Sequence, residues 1–66
     1  MTMTELKELI RSEYGTEASL ARHLGWPRQK INRITKEHRK PSIISATQLA
    51  TALRIPVEKI IEIFLP

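Results

Sequence analysis

Apolar residues recur at helical spacing in five stretches of the chain, and glycines, prolines and short polar runs separate them. Leu6, Leu9 and Ile10 fall at i, i+3 and i+4, which predicts a first helix over Thr4–Tyr14. Thr4 is its expected N-cap, with Glu5 and Glu8 near the positive end of the helix dipole. Met3 is expected to pack back on this stripe and Tyr14 to close the core, and Gly15 supplies the stop. Thr16 caps a second helix that runs to about Leu24, with Leu20, Ala21 and Leu24 on one face. Gly25 breaks it, since glycine most easily takes a positive φ. Pro27 opens a third helix that reaches about Lys36, whose apolar positions are Ile31 and Ile34. Ser42 caps a fourth, Ile43–Leu53, with a stripe of Ala46, Leu49, Ala50 and Leu53. Arg54–Pro56 connects it to a fifth, about Val57–Leu65, with Val57, Ile60, Ile61 and Phe64 facing in. The expectation is an all-α fold, five short helices around one core, forming a single domain over residues 1–66.

Some apolar residues fall off these stripes. Ile44, Ile63 and Leu65 lie off the inward faces of the last two helices, and Ile55 sits in the connector. They read either as scattered exposed residues or as a self-association patch, because they cluster in the C-terminal third. Trp26, in the turn before the third helix, reads either as an apolar plug under that helix or as an indole N–H that reaches a phosphate.

Composition excludes several classes of function. The chain has 66 residues and no cysteine, so disulfides, thiolate metal sites and cysteine nucleophiles are absent. His23 and His38 are not spaced with carboxylates as a metal cluster, and no glycine-rich phosphate loop exists. Neither an enzyme nor a cofactor is expected. No apolar run is long enough for a membrane span or a secretory signal, which leads to the expectation of a cytoplasmic protein.

Charge adds the strongest functional signal. The net charge is +4, but residues 1–26 hold three basic and four acidic residues, for −1, and residues 42–66 hold two of each. Residues 27–41 hold six basic residues against Glu37, for +5. The excess lies on the third helix and the loop after it. The second and third helices, joined by a glycine turn, make a helix-turn-helix. The solvent side of the third carries Arg28, Gln29, Lys30, Asn32 and Arg33, side chains suited to base edges and phosphates.

In this order and spacing the residues resemble the phage-repressor and Cro type of helix-turn-helix domain, the XRE-like or lambda-repressor-like family. The likeness rests on Leu20, Ala21, Leu24, Gly25, Ile31 and Ile34, on Arg39–Lys40–Pro41–Ser42, on Leu49–Leu53, and on Ile55–Pro56–Val57 running into Ile60–Ile61. It covers about residues 5–64. It implies a five-helix fold whose third helix enters the major groove of double-stranded DNA. By the resemblance, base reading falls on Arg28, Gln29 and Arg33, with Lys30 and Asn32 nearby. Phosphate contacts fall on Thr16, Lys36, His38, Arg39 and Lys40, and Glu17 stands where the family often has glutamine. The implied function is transcription regulation, with repression by occlusion as a homodimer on a pseudo-palindromic site. Ile44, Ile55, Ile63 and Leu65 are the dimer candidates. The alternative is an antitoxin or adaptor that uses the fold to hold a protein partner such as a toxin.

The chain departs from the family pattern at four further places. Pro27 replaces the usual Ser or Thr cap, and Glu37 and Arg54 stand where glycine is common. Ile10 and Thr35 replace a frequent ion pair between the first and third helices, so an apolar contact is expected there.

Overall fold

The computed structural model describes all residues, Met1–Pro66, and contains helices only: α1 Met3–Tyr14, α2 Glu17–Leu24, α3 Arg28–Thr35, α4 Ile43–Leu53 and α5 Val57–Ile63. α1 starts earlier than the apolar spacing predicts. Thr2, not Thr4, is the N-cap: its hydroxyl accepts from the Glu5 backbone N–H and the Glu5 carboxylate accepts from the Thr2 N–H. This reciprocal box satisfies two otherwise orphaned donors and decides the helix start. Met3 consequently lies inside the helix and in the core, and is not a staple ahead of it. α2 begins as expected at Thr16, whose hydroxyl accepts from Ser19 N–H, and ends at Gly25 with φ 71°.

Five helices share one core of Met3, Leu6, Ile10, Leu20, Ala21, Ile31, Ala46, Leu49, Ala50, Leu53 and Ile60. The expected α4 stripe of Ala46, Leu49, Ala50 and Leu53 is buried throughout. Leu9, Leu24 and Trp26 are half-buried around its edge. Tyr14 does close the core, and its hydroxyl donates to the Ala52 carbonyl at 2.8 Å, tying the end of α1 to α4. The radius of gyration, 10.4 Å, is about that of a fully collapsed chain of this length.

The two positions where glycine is common, Glu37 and Arg54, behave differently. Arg54 does take the left-handed conformation, at φ 59°, but Glu37 does not; the positive φ falls one residue later, on His38 at 54°. α5 is shorter than expected, ending at Ile63, with Phe64 half-buried and Leu65 exposed. Ile55 and Ile63, read from the sequence as possible self-association residues, are half-buried and packed on the core. Ile44 and Leu65 are exposed, at 70% and 59%, and Ile43 joins them at 63%. No helix is long and apolar enough to cross a membrane.

Candidate functional site

α3 is held at the surface by its inner face alone. Ile31, Ile34 and Thr35 are buried, and the helix packs chiefly on α2 across the Gly25–Pro27 turn. The other five residues of the helix are polar. Arg28, Gln29 and Arg33 are exposed; Lys30 and Asn32 are half-buried. Gln29, Arg33 and Lys36 fall at i, i+4 and i+7 and so form one outward row.

The expected apolar contact pairs Thr35 of α3 with Ile10 of α1, but the Thr35 hydroxyl makes a polar contact with the start of α2. Thr35 is completely buried, and its hydroxyl donates to the Glu17 carboxylate at 3.0 Å and lies 3.2 Å from the Ile31 carbonyl. Ile10 instead joins the central core. The Glu17 carboxylate is therefore directed inward to α3 and away from the surface row. Thr16 is exposed, but its hydroxyl is committed to capping α2 through Ser19.

At the other end of α3, Pro27 is the N-cap residue with ψ 146°, one position outside the helix it was expected to open, and no side chain caps α3. Trp26 replaces that missing anchor by tertiary means. Its ring is half-buried, its indole N–H donates to the Gln48 side-chain oxygen of α4 at 3.2 Å, and Lys30 Nζ stands 4.3 Å above the ring centre. The indole thus serves as the plug, and its N–H is turned toward α4. Gln48 was not singled out from the sequence, where a lone exposed glutamine carries no signal. The Lys30 ammonium is held by a cation–π contact, which fixes its position on the flank of the outward row.

After α3 the chain turns back on it. His38 adopts its left-handed conformation, and the Arg39 N–H then donates to the Arg33 carbonyl at 3.0 Å. This brings Lys30, Arg33, Arg39 and Lys40 around one shallow groove of about 250 Å³, with Ser42 and Ser45 of the α4 start on its floor and rim. Lys36 and His38 are exposed outside the groove. Arg28 and Gln29 also lie outside it, at the free N-terminal end of α3.

The electrostatics of this face follow from what is missing around it. The structure holds two ion pairs, Met1 N-terminus–Glu62 and Lys59–Glu62, both far from residues 27–41 in sequence and on other elements. None of the side chains of Arg28, Gln29, Arg33, Lys36, His38, Arg39 or Lys40 makes an intramolecular hydrogen bond. No cluster of three metal-ligating side chains is present either. Six cations on a surface net of +5 therefore lack a carboxylate partner inside the fold. Comparison of the chain with protein-family models, with curated proteins and with solved structures finds no match.

Proposed function

We propose that the chain binds double-stranded DNA with sequence specificity and acts as a small transcriptional regulator, a repressor of the phage-repressor and Cro type. The observation that carries this reading is the unpartnered cationic face on α3 and the following loop. A protein that neutralised its own cations would have little to offer a polyanion, whereas this face leaves all six without a carboxylate partner. The roles divide by position. Arg28 and Gln29, at the free end of α3, have the forked donors and the amide that pair with guanine O6/N7 and adenine N6/N7. Arg33 stands one turn further along the exposed row. Arg39 and Lys40, gathered beside Arg33 and Lys30, suit a phosphate that runs past the groove, and Lys36 and His38 extend that track. Trp26 and the Glu17–Thr35 hydrogen bond set the tilt of α3 from its two ends. On a pseudo-palindromic site two copies would present two α3 helices about one helical turn, roughly 34 Å, apart.

The test is binding to a duplex library by fluorescence anisotropy across a salt series, followed by selection of preferred sequences. With about five phosphates neutralised, log affinity should fall against log salt with a slope of about −4 to −5. Selected duplexes should outcompete random ones. A flat salt response, or no preference after selection, would overturn the proposal.

A further inference from the structure

We propose that the basic groove between α3 and the start of α4 is a site for a free phosphomonoester, a small dianion whose terminal phosphate enters the groove. The observation that carries this is the Ser45 hydroxyl. Ser45 is only 7% exposed, and it lines the groove of about 250 Å³. Its backbone N–H donates to the Ser42 hydroxyl oxygen at 3.1 Å, but its own hydroxyl has no partner in the fold. Other helical hydroxyls here do find one. That of Thr47 donates to the Ile43 carbonyl four residues back at 2.8 Å, and that of Thr35 reaches both Glu17 and Ile31. Ser45 has Pro41 four residues back and makes no such bond, although buried hydroxyls are normally paired. No side-chain polar atom of the chain is both sealed from solvent and unbonded. The Ser45 oxygen therefore keeps an opening, and that opening is the groove.

The surroundings match an anion with more than one charge. Arg33, Arg39 and Lys40 line the groove, joined by Lys30 from its place over Trp26, and no carboxylate lines it. The Ser42 oxygen caps α4 by accepting from Ser45 N–H, which leaves its own O–H to donate. The backbone N–H groups of Ile43 and Ile44 have no acceptor in the fold, and α4 sets the positive end of its dipole beside the groove. A phosphodiester offers one negative charge and is esterified on both flanks. A phosphomonoester carries about −1.5 to −2 and presents three free oxygens on one unencumbered face. That face can reach down to a hydroxyl as recessed as Ser45, whereas a duplex phosphate stays on the rim with Arg39 and Lys40. The groove is smaller than the about 300–1,000 Å³ that engulfs a whole drug-sized ligand, so the rest of the molecule remains in solvent. Arg33, Arg39 and Lys40 are also the cations assigned above to duplex, so monoester and duplex exclude one another. The monoester then acts as a release signal, and that consequence alone rests on the DNA reading.

The test is a backbone-amide NMR titration of the intact chain with methyl phosphate at constant ionic strength. A pH of about 7.5 keeps the probe dianionic, above its second pKa of about 6. Saturable shifts should centre on residues 39–46, and methyl phosphate should bind about tenfold or more tightly than dimethyl phosphate. Ser45→Ala should weaken methyl phosphate by about tenfold and dimethyl phosphate much less, because it removes the donor that the monoester alone reaches. An unchanged thermal melt would confirm that this variant folds. Arg39→Gln, at an exposed position, should weaken methyl phosphate as well and serves if Ser45→Ala does not fold. Equal affinity for the two phosphates, or shifts that rise without saturation, overturns the proposal. So does a folded Ser45→Ala or Arg39→Gln chain that binds methyl phosphate as the wild type does. Anisotropy of a labelled duplex is followed at the same ionic strength. Methyl phosphate should displace duplex from the wild-type chain, and simultaneous binding of both overturns the release role. A chain that prefers methyl phosphate but binds no duplex keeps this site and removes the DNA reading alone. A chain that binds duplex and shows no preference for the monoester removes this site alone.

Discussion

The Thr35 hydroxyl sits in a fully buried position, yet it faces a carboxylate from another helix. Removing it by Thr35→Val keeps the shape and leaves Glu17 to satisfy itself with water. Because Glu17 is only half-buried, the cost should be about 1–2 kcal/mol, read from urea unfolding. Glu17→Gln keeps an acceptor and should cost less. A second group of residues acts outward, and their removal should not lower stability. Arg28→Ala or Gln29→Ala should each relax preference at one or two base pairs by about 1–3 kcal/mol, measured on a panel of single-base duplex variants. Lys40→Ala should weaken all duplexes about equally and lower the salt slope by about 1. Identical profiles for both kinds of substitution would remove the division between base and phosphate contacts.

At the level of elements, helix ends decide most of what differs from the sequence expectation. The stripes of α2 and α4 were legible because Leu20, Ala21, Leu49, Ala50 and Leu53 repeat cleanly and a Thr or Ser cap precedes each. The α1 start was not, because Thr2 and Thr4 are equivalent until Glu5 bonds to one of them. Ile55 and Ile63 lie off the helical wheel, but short helices end in turns that fold such residues back, which periodicity alone does not register. The Trp26–Gln48 bond joins residues far apart in sequence and had no local signal. Two glycine-type positions allow a paired test. At Gly25, φ is +71° and an added Cβ would meet nothing within 4 Å, so Gly25→Ala carries torsional strain alone, about 1 kcal/mol. Arg54 already bears that strain at φ 59°, and Arg54→Gly should stabilise the fold by about 0.5–1 kcal/mol after the entropy of the unfolded glycine is allowed for. Opposite shifts in thermal midpoint, a few degrees each, would check both. The α1 cap adds a pH dependence. The Glu5 carboxyl is held below its ordinary 4.5, first by the Thr2 backbone N–H and then by the Thr2 side chain. The N-terminal ammonium, then Lys59, lowers that of Glu62. Depressed carboxyl values mean stability that is present above the unfolded value and lost as pH falls through the folded ones. Acid titration of the melting temperature should therefore steepen below about pH 4.5, and Glu5→Gln should flatten part of that limb.

For the molecule as a whole, 66 residues place total stability at only a few kcal/mol, about 3–10. Leu49→Ala, at a completely buried position shared by several helices, should cost about 2–5 kcal/mol and bring the chain to the edge of unfolding. The recognisable part of the whole was its topology and the place of its charge; the groove shared by Lys30, Arg33, Arg39 and Lys40 depends on the His38 turn, which no residue type announces. The absence of acidic partners on that face has a further consequence. Cations crowded without counter-charges repel one another in the folded state, and that repulsion falls as added ions shorten the screening length, about 10 Å at 0.1 M. Salt should thus raise the melting temperature of the free protein, and under the proposed function it does so over the same range in which it weakens binding to duplex. The bare cations that make the face fit to receive a polyanion also make the empty protein the less stable form, so that ligand and salt become interchangeable stabilisers.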